Sequence, residues 1–254
     1  MIVVRTLHGL ENAKAEFKGK MAFVPTMGAL HNGHLSLVSL AQEKADFVAV
    51  SIFVNPTQFA PNEDFDSYPR DEAEDLKRLD DAGVDIVFLP TEDLLYPDGH
   101  ATDIKAGEAA KGLETDFRPH FFDGVVNVVH RLFEAVKPDI AIFGQKDFQQ
   151  LQVITEMVET LNMPIEIIGA EIARDEHGLA LSSRNAYLSD DELHIARTLN
   201  VVLHDAAKSG DFEAAKAQLL ENGFDKVDYV DGRWNRVLGA AWLGKTRLID
   251  NIPQ

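Results

Sequence analysis

Pro25-Thr26-Met27-Gly28-Ala29-Leu30-His31-Asn32-Gly33-His34 is the stretch whose reading decides the fold. Before it, Met21-Ala22-Phe23-Val24 is an apolar run closed by a proline, the pattern of a buried strand. After it, Leu35-Ser36-Leu37-Val38-Ser39-Leu40-Ala41 carries apolar side chains at helical spacing. His31 to His34 therefore sits where a strand hands over to a helix. A helix N-terminus offers unpaired N–H groups and the positive end of a dipole, a setting for phosphate. Gly28 and Gly33 allow close backbone approach there. Two histidines three apart share a face if helical, and both can donate to phosphate oxygens. A lone histidine near a helix start is ordinarily just a polar residue. The His-x-Gly-His spacing between strand and helix is what gives the phosphate reading its weight.

Outward from this stretch the pattern repeats. Asp46 to Val54 is a mostly apolar run that reads as a buried parallel strand, ending in Asn55-Pro56-Thr57-Gln58-Phe59. Amides at that position are either turn residues or ligands of a small polar substrate, because the C-terminal ends of strands in open α/β sheets are where ligands bind. Asp71 to Ala82 has the alternation of a surface helix, Asp85 to Leu89 reads as a strand, and Thr91 to Pro119 reads as mostly loop. Val125 to Val136 is a helix stopped before Pro138, and Ile140 to Phe143 is a strand leading into Gly144-Gln145-Lys146-Asp147. Gln149 to Leu161 is helical and Ile165 to Ile168 a strand. Alternating strands and helices call for a parallel sheet covered on both faces. Lys146 follows its strand at once, which places it at the same sheet edge as the histidine turn. A solvated surface charge is the plain alternative.

Beyond Gly169 the pattern changes. Ala173 to Gly178 reads as a strand end and turn, and Leu181-Ser182-Ser183-Arg184-Asn185 puts two hydroxyls and a guanidinium in one loop, a good anion clamp. A helix cap is the competing use for those serines, and Ser189 suits it better. Helices near Asp190–Lys208 and Phe212–Glu221 and short strands around Val227–Val230 and Leu238–Ile249 complete the chain. The expected organisation is a Rossmann-like domain over 1–172 and a smaller α+β domain over 173–254.

The chain of 254 residues has 24 basic and 42 acidic residues, a formal net charge of −18. That argues against general binding to nucleic acid or anionic membranes, which needs a basic surface. With no cysteine, disulfides, thiolate metal sites and a cysteine nucleophile are excluded. Met1-Ile2-Val3-Val4-Arg5 runs quickly into charged residues, so no signal-peptide core is expected. No apolar run approaches the ~20 residues of a membrane span. A cytoplasmic enzyme is the expectation.

The His-x-Gly-His element resembles the signature of the nucleotidylyltransferase superfamily, whose members cleave ATP or CTP between the α and β phosphates. Val24 to His34 together with Ser51 to Phe59, Tyr68-Pro69-Arg70, Phe143 to Gln150, Gly178 to Asn185 and Arg247-Leu248-Ile249-Asp250-Asn251 resembles, block by block and in order, the pantoate–β-alanine ligase family. The resemblance spans essentially the whole chain. It implies a Rossmann-like fold of the histidine-motif nucleotidylyltransferase type. It also implies condensation of pantoate with β-alanine using ATP and Mg²⁺, through pantoyl adenylate, releasing pyrophosphate and then AMP. The product pantothenate leads to coenzyme A.

By the same resemblance, ATP is held by Met27, Gly28, Ala29, Leu30, His31, Asn32, Gly33 and His34. It is also held by Gly144, Gln145, Lys146 and Asp147, and by Ala173, Leu181, Ser182, Ser183 and Arg184. His31, His34, Lys146 and Arg184 carry the catalytic charge. Gln58 and Gln150 hold pantoate, and Asn55 assists β-alanine. Asp75 either supports Mg²⁺ or is a solvated surface acid, so the protein ligands of the metal stay open. A homodimer is expected on the same ground. The chemistry fits these residue types. A carboxylate must attack an anionic phosphate, so the site mainly cancels charge and aligns the partners. The amine then attacks an activated anhydride, and no enzyme nucleophile is required.

Three departures from the family pattern stand out. Arg118-Pro119-His120-Phe121-Phe122-Asp123-Gly124-Val125 has Phe121 at the usual histidine position, with His120 one place earlier. Gln145 replaces a common glutamate, and the segment after Asn185 is shorter than usual. Competing readings are another nucleotidylyltransferase, which Gln58 and Gln150 disfavour, and a class I aminoacyl-tRNA synthetase, which the charge and chain length disfavour. The third is a nucleotide-binding module without turnover, against which stand His31, His34, Lys146 and Arg184.

Overall fold

The strand Met21–Thr26 (β2) runs through Pro25 at the centre of a six-stranded sheet. The structure, a computed structural model, describes residues 1–59, 65, 68–100 and 104–254. Around β2 the chain runs Ile2–Val4 (β1), Leu7–Ala15 (α1), β2, Asn32–Lys44 (α2) and Phe47–Ile52 (β3). It continues through Glu72–Asp81 (α3), Ile86–Phe88 (β4), Glu92–Leu95 (α4), Glu114–Phe117 (α5) and Phe121–Val136 (α6). Ile140–Gly144 (β5), Phe148–Thr160 (α7) and Glu166–Ala170 (β6) close the sheet.

All pairings are parallel and the order is β1-β4-β3-β2-β5-β6. The winding reverses between β2 and β5, so the crevice beyond their C-terminal ends is the topological switch point where such sheets bind ligands. The β2–β5 ladder ends at Phe23–Ala141, while β2 stays paired with β3 to Thr26–Ile52 and β5 with β6 to Gly144–Ala170. Pro25 has no N–H to give a ladder, and it stands where the two strands have already parted. The proline is thus tolerated on the side where the crevice opens, where no ladder bond is asked of it. Phe23, Phe88 and Phe133 are fully buried in this unit, each worth roughly 1.5–3 kcal/mol of transfer free energy.

By compactness the chain divides into one unit of Met1–Gln145 with Gln149–Ala170, and another of Lys146–Phe148 with Glu171–Gln254. The second unit contains Asp190–Ala196 (α8), Thr198–Ser209 (α9), Phe212–Glu221 (α10) and the strands Lys226–Arg233 (β7), Arg236–Leu243 (β8) and Thr246–Pro253 (β9). The strands form an antiparallel meander in the order β7-β8-β9. Leu199, Leu203, Leu219, Val237, Ala241 and Ile252 lie in its core. Trp234 and Asn235, both with positive φ (54° and 55°), make the two-residue turn between β7 and β8, the twist a tight hairpin needs.

Several local expectations are corrected. The three-residue edge strand β1 is absent from the sequence reading, being too short to show a period. The helix expected over Asp190–Lys208 is two, α8 and α9, divided at Arg197. The expected strand Leu238–Ile249 is split by the Gly244-Lys245 turn into β8 and β9. The helix expected from Val125 begins at Phe121, and the Thr91–Pro119 stretch contains α4 and α5, with 101–103 outside the described residues. Among the described residues no helix is long and apolar enough to cross a membrane.

Candidate active site

The turn between β2 and α2 is built from backbone that most residues avoid. Gly28 has φ +80° and Ala29 φ +50°, a left-handed conformation that costs a non-glycine residue roughly 1–2 kcal/mol. Thr26 begins to hold it: its hydroxyl donates to the Ser51 carbonyl at 2.8 Å and accepts the Gly28 N–H at 3.2 Å. Asp75 completes the hold. Its two oxygens accept the N–H groups of Ala29 at 2.9 Å and Leu30 at 2.7 Å. At 3 % exposure Asp75 is no solvated surface acid. Burial pushes its carboxyl up, against the pull of the Leu30 and Ala29 N–H groups. There is no room for a side chain at Gly28, where a Cβ would lie 2.8 Å from the Asp75 carboxylate.

His31 is the N-cap of α2 rather than a helical residue, which corrects the expectation of two histidines on one helix face. Its Nδ1 accepts the Gly33 N–H at 3.0 Å, and the His34 Nδ1 accepts the His31 N–H at 3.3 Å, a reciprocal capping box made by two imidazoles. The ring centroids are 4.2 Å apart. With each Nδ1 an acceptor, the hydrogen of each neutral ring belongs on Nε2. The capping box therefore sets the tautomer, leaving Nε2 as the donor of each neutral ring.

At the end of β3, Asn55 is buried and its amide is engaged with protein on every side. Oδ1 accepts from the Tyr96 hydroxyl at 2.9 Å and from the Thr57 N–H at 3.4 Å, while Nδ2 donates to the Thr57 hydroxyl at 2.9 Å and the Gly124 carbonyl at 3.4 Å. Burial pushes the Tyr96 phenol up, so it stays a neutral donor. Asn55 thereby caps the 3-10 turn Pro56–Gln58. The Gln58 carbonyl accepts from Arg118 at 3.1 Å. Arg118 lies over the Phe121 ring, 3.7 Å from its centroid, with Glu114 at 3.7 Å. Phe121 thus packs beneath Arg118, and His120 is exposed.

After β5, the Gln145 amide donates to the Gly169 carbonyl at 3.1 Å. A glutamate there has no proton for that bond. In α7, Gln149 is buried and spends its amide on Glu114, Ala109 and Gly112, while Gln150 is half-buried.

In the second unit, Lys146 is half-buried with its Nζ 3.7 Å from the Asp147 carboxylate. Ala173 to Leu181 is a tight hairpin: the Leu181 N–H meets the Ala173 carbonyl at 2.9 Å, and Asp175 accepts the N–H groups of His177 and Leu179. Burial alone would raise the Asp175 carboxyl, but Leu179, His177 and Arg197 together hold it below the usual range. Ser182 caps the following 3-10 turn through the Arg184 N–H at 3.3 Å, so Ser182, Ser183 and Arg184 share one turn. Ser189 caps α8 in a capping box with Glu192, the role expected for it. The structure thus gathers Met27 to His34 in one turn and Ala173 to Arg184 in one hairpin-and-turn. Among the described residues no group of three or more His, Asp or Glu side chains offers a cation a cage.

A sequence model of the pantoate–β-alanine ligase family matches residues 2–253. The chain belongs to that family. A pantothenate synthetase of Mesorhizobium japonicum is 53 % identical over 254 residues, covering 92 % of this chain and 89 % of that protein. One of Hyphomonas neptunium is 47 % identical over 279 residues, covering 98 % and 95 %. Among solved structures, a pantothenate synthetase of Thermus thermophilus superposes with a TM-score of 0.90 at 39 % identity, covering 100 % of this chain and 99 % of that one. The pantoate–β-alanine ligase of Francisella tularensis, complexed with beta-gamma ATP and β-alanine, gives 0.92 at 37 % identity, with 100 % and 97 % covered. The nucleotidylyltransferase-type α/β architecture is thus the family's own. What sequence reading missed in this family site is Asp75 as the anchor of the turn. One signal was present, since Asp75 and the buried Leu79 are four apart on α3 and so share its inner face.

Proposed function

We propose that this chain joins pantoate to β-alanine in two steps, with ATP as co-substrate. The pantoate carboxylate attacks the α-phosphate, forming pantoyl adenylate and displacing pyrophosphate. The β-alanine amine then attacks the acyl carbon and AMP leaves. The observation that carries the reading is the histidine capping box at the switch point of the sheet, in a chain matched by the ligase family from end to end.

The residues act by charge and position. His31 and His34 donate from Nε2 to phosphate oxygens, and the backbone of Met27 to Leu30 with Asn32 and Gly33 lets the nucleotide come close. Lys146, Ser182, Ser183 and Arg184 neutralise the charge that grows on the leaving pyrophosphate. Gly144, Gln145 and Asp147 meet the ribose side, and Ala173 and Leu181 read adenine through backbone groups. Gln58 and Gln150 orient pantoate for in-line attack. Asn55, its amide committed to Thr57, Tyr96 and Gly124, serves the β-alanine side by holding the turn that carries Gln58. Region 1–172 bears the ATP and pantoate sites, and 173–254 supplies the clamp.

Mg²⁺ fits as a triphosphate-borne ion. A hard cation of this size keeps phosphate oxygens and waters as ligands, and both Asp75 oxygens are already taken by backbone N–H groups. When bound it supplies charge neutralisation to the triphosphate. We place the enzyme in the cytoplasm as a homodimer, in keeping with the family resemblance.

The test is a mass-spectrometric assay with ATP, Mg²⁺, pantoate and β-alanine, each omitted in turn. Pantothenate and AMP are expected only in the full mixture. Absence of pantoate-dependent ATP consumption overturns the reading.

A further inference from the structure

None of the roles above uses the terminal stretch Arg247-Leu248-Ile249-Asp250-Asn251, although it is part of the family pattern. β9 carries Asn251 into the core of the second unit, where it is 1 % exposed. Its Nδ2 donates to the backbone carbonyl of Lys146 at 3.0 Å, its Oδ1 accepts from Arg236 Nε, and its own N–H goes to the Asp250 carboxylate at 2.7 Å. The amide has one workable orientation. Turning it over would face an NH₂ toward a guanidinium and an oxygen toward a carbonyl.

The short segment Lys146–Phe148 is gripped a second time at Phe148. Its ring centroid lies 4.7 Å from the Arg236 guanidinium carbon and 6.2 Å from the Trp234 ring centroid. Asp250, the neighbour of Asn251, binds Arg174 through both oxygens at 2.7 and 2.8 Å and accepts from Asn200 at 3.2 Å. Arg174 in turn donates to the Gly178 carbonyl at 2.8 Å, inside the hairpin that carries Ala173 and Leu181. Two adjacent residues of β9 thus hold two separate loops.

We infer that Asn251 is a positioning residue for Lys146: by fixing the Lys146 carbonyl, it fixes the direction in which that lysine leaves the backbone. The inference rests on the reading that Lys146 faces the triphosphate. A lysine side chain has four rotatable bonds, so its reach is broad, but the cone it sweeps is set by the peptide plane that Asn251 holds. Displacement of a charge-bearing group by about 1 Å can cost on the order of 100-fold in rate.

The experiment uses the purified full chain and radiolabelled pyrophosphate release at saturating ATP over a series of pantoate concentrations. Asn251→Asp keeps the acceptor for Arg236 and replaces the Lys146 donor with an oxygen. We expect kcat to fall about 10- to 100-fold, with KM for pantoate within about twofold, because the lost interaction acts on the developing charge rather than on ground-state pantoate. In a Lys146→Ala background the same substitution is expected to cost nothing further, as residues acting through one group are not additive. A wild-type kcat for Asn251→Asp overturns the inference. So does a loss that multiplies fully with that of Lys146→Ala, the signature of general destabilisation. Should Asn251→Asp give no cooperative melt, Asn251→Ser carries the same cycle. Lys146→Ala with near-normal turnover removes Lys146 from the mechanism and the inference with it. A collapsed Lys146→Ala beside an unaffected Asn251 variant overturns the inference alone.

Discussion

The carboxylate of Asp75 accepts the Leu30 N–H at 2.7 Å, across 45 residues of chain, while its other oxygen takes the Ala29 N–H at 2.9 Å. Hydrogen bonds to a charged acceptor are worth about 1.5–3 kcal/mol each, enough to offset the left-handed backbone at Ala29. The helix α3 therefore acts on the histidine-bearing turn from outside it. Asp75 and the Thr26 hydroxyl together shape the turn that carries the histidines.

Asp75→Ala is expected to leave two N–H groups without their acceptor, each costing about 1–3 kcal/mol where buried, partly offset by removing a desolvated charge. Urea unfolding should show a net loss, and adenylate formation should fall about 10- to 100-fold as the turn relaxes. Asp75→Asn keeps one acceptor oxygen and should fall between. An Asp75→Ala enzyme with wild-type stability and turnover would refute the anchoring role.

Phe121 supports Arg118 over its ring, and Arg118 supports the Gln58 carbonyl. A cation–π contact is worth about 0.5–2 kcal/mol, so Phe121→Ala should raise KM for pantoate about 2- to 30-fold with a smaller effect on kcat. Phe121→His should be well tolerated at neutral pH, where the ring is uncharged. Below an ordinary imidazole value of about 6.5 the imidazolium would repel Arg118, so the variant's KM should climb with acid while the parent's stays flatter. Identical pH profiles for parent and Phe121→His would count against this arrangement.

How much of this was legible beforehand follows from where the information lies. The sheet was readable because buried parallel strands are continuous apolar runs, and the motif turn because Gly28, His31, Gly33 and His34 lie within seven residues. β1 was too short to show a period. The division of the second unit's helix at Arg197 carries no glycine or proline to mark it. The cap position of His31 depends on which residue starts α2, the kind of boundary that spacing resolves worst. Asp75 and Asn251 act through backbone atoms of residues 45 and 105 positions away. Such partners are set by tertiary packing and leave no local trace beyond an acid or an amide on an inward face.

Gly124 marks a close approach. A Cβ there would lie 2.3 Å from the Thr57 carbonyl oxygen. Alanine in a free helical position would gain about 1 kcal/mol over glycine, but overpacking of this kind typically costs about 1–3 kcal/mol or somewhat more. Gly124→Ala is therefore expected to destabilise, and to raise KM for pantoate because Gln58 follows Thr57 directly. Thermal melts and pantoate titrations check both. A stabilised variant would mean that the turn yields without cost.

Asp175 gives the second unit a dependence on acid. Its carboxylate accepts the His177 and Leu179 N–H groups at 2.9 and 2.8 Å and meets Arg197 at 3.2 Å. These interactions outweigh burial, so its native value lies below the ordinary 3.8. For a depressed carboxyl the stabilising contribution is complete above the unfolded-state value and is lost as pH falls through the native one. Asp175→Asn should thus be less stable than the parent at neutral pH, and the gap should close progressively below 3.8. Urea unfolding followed at a series of pH values reads that gap directly. A gap that stays constant through the acid range would show that the hairpin draws on the shape of Asp175 and not on its charge.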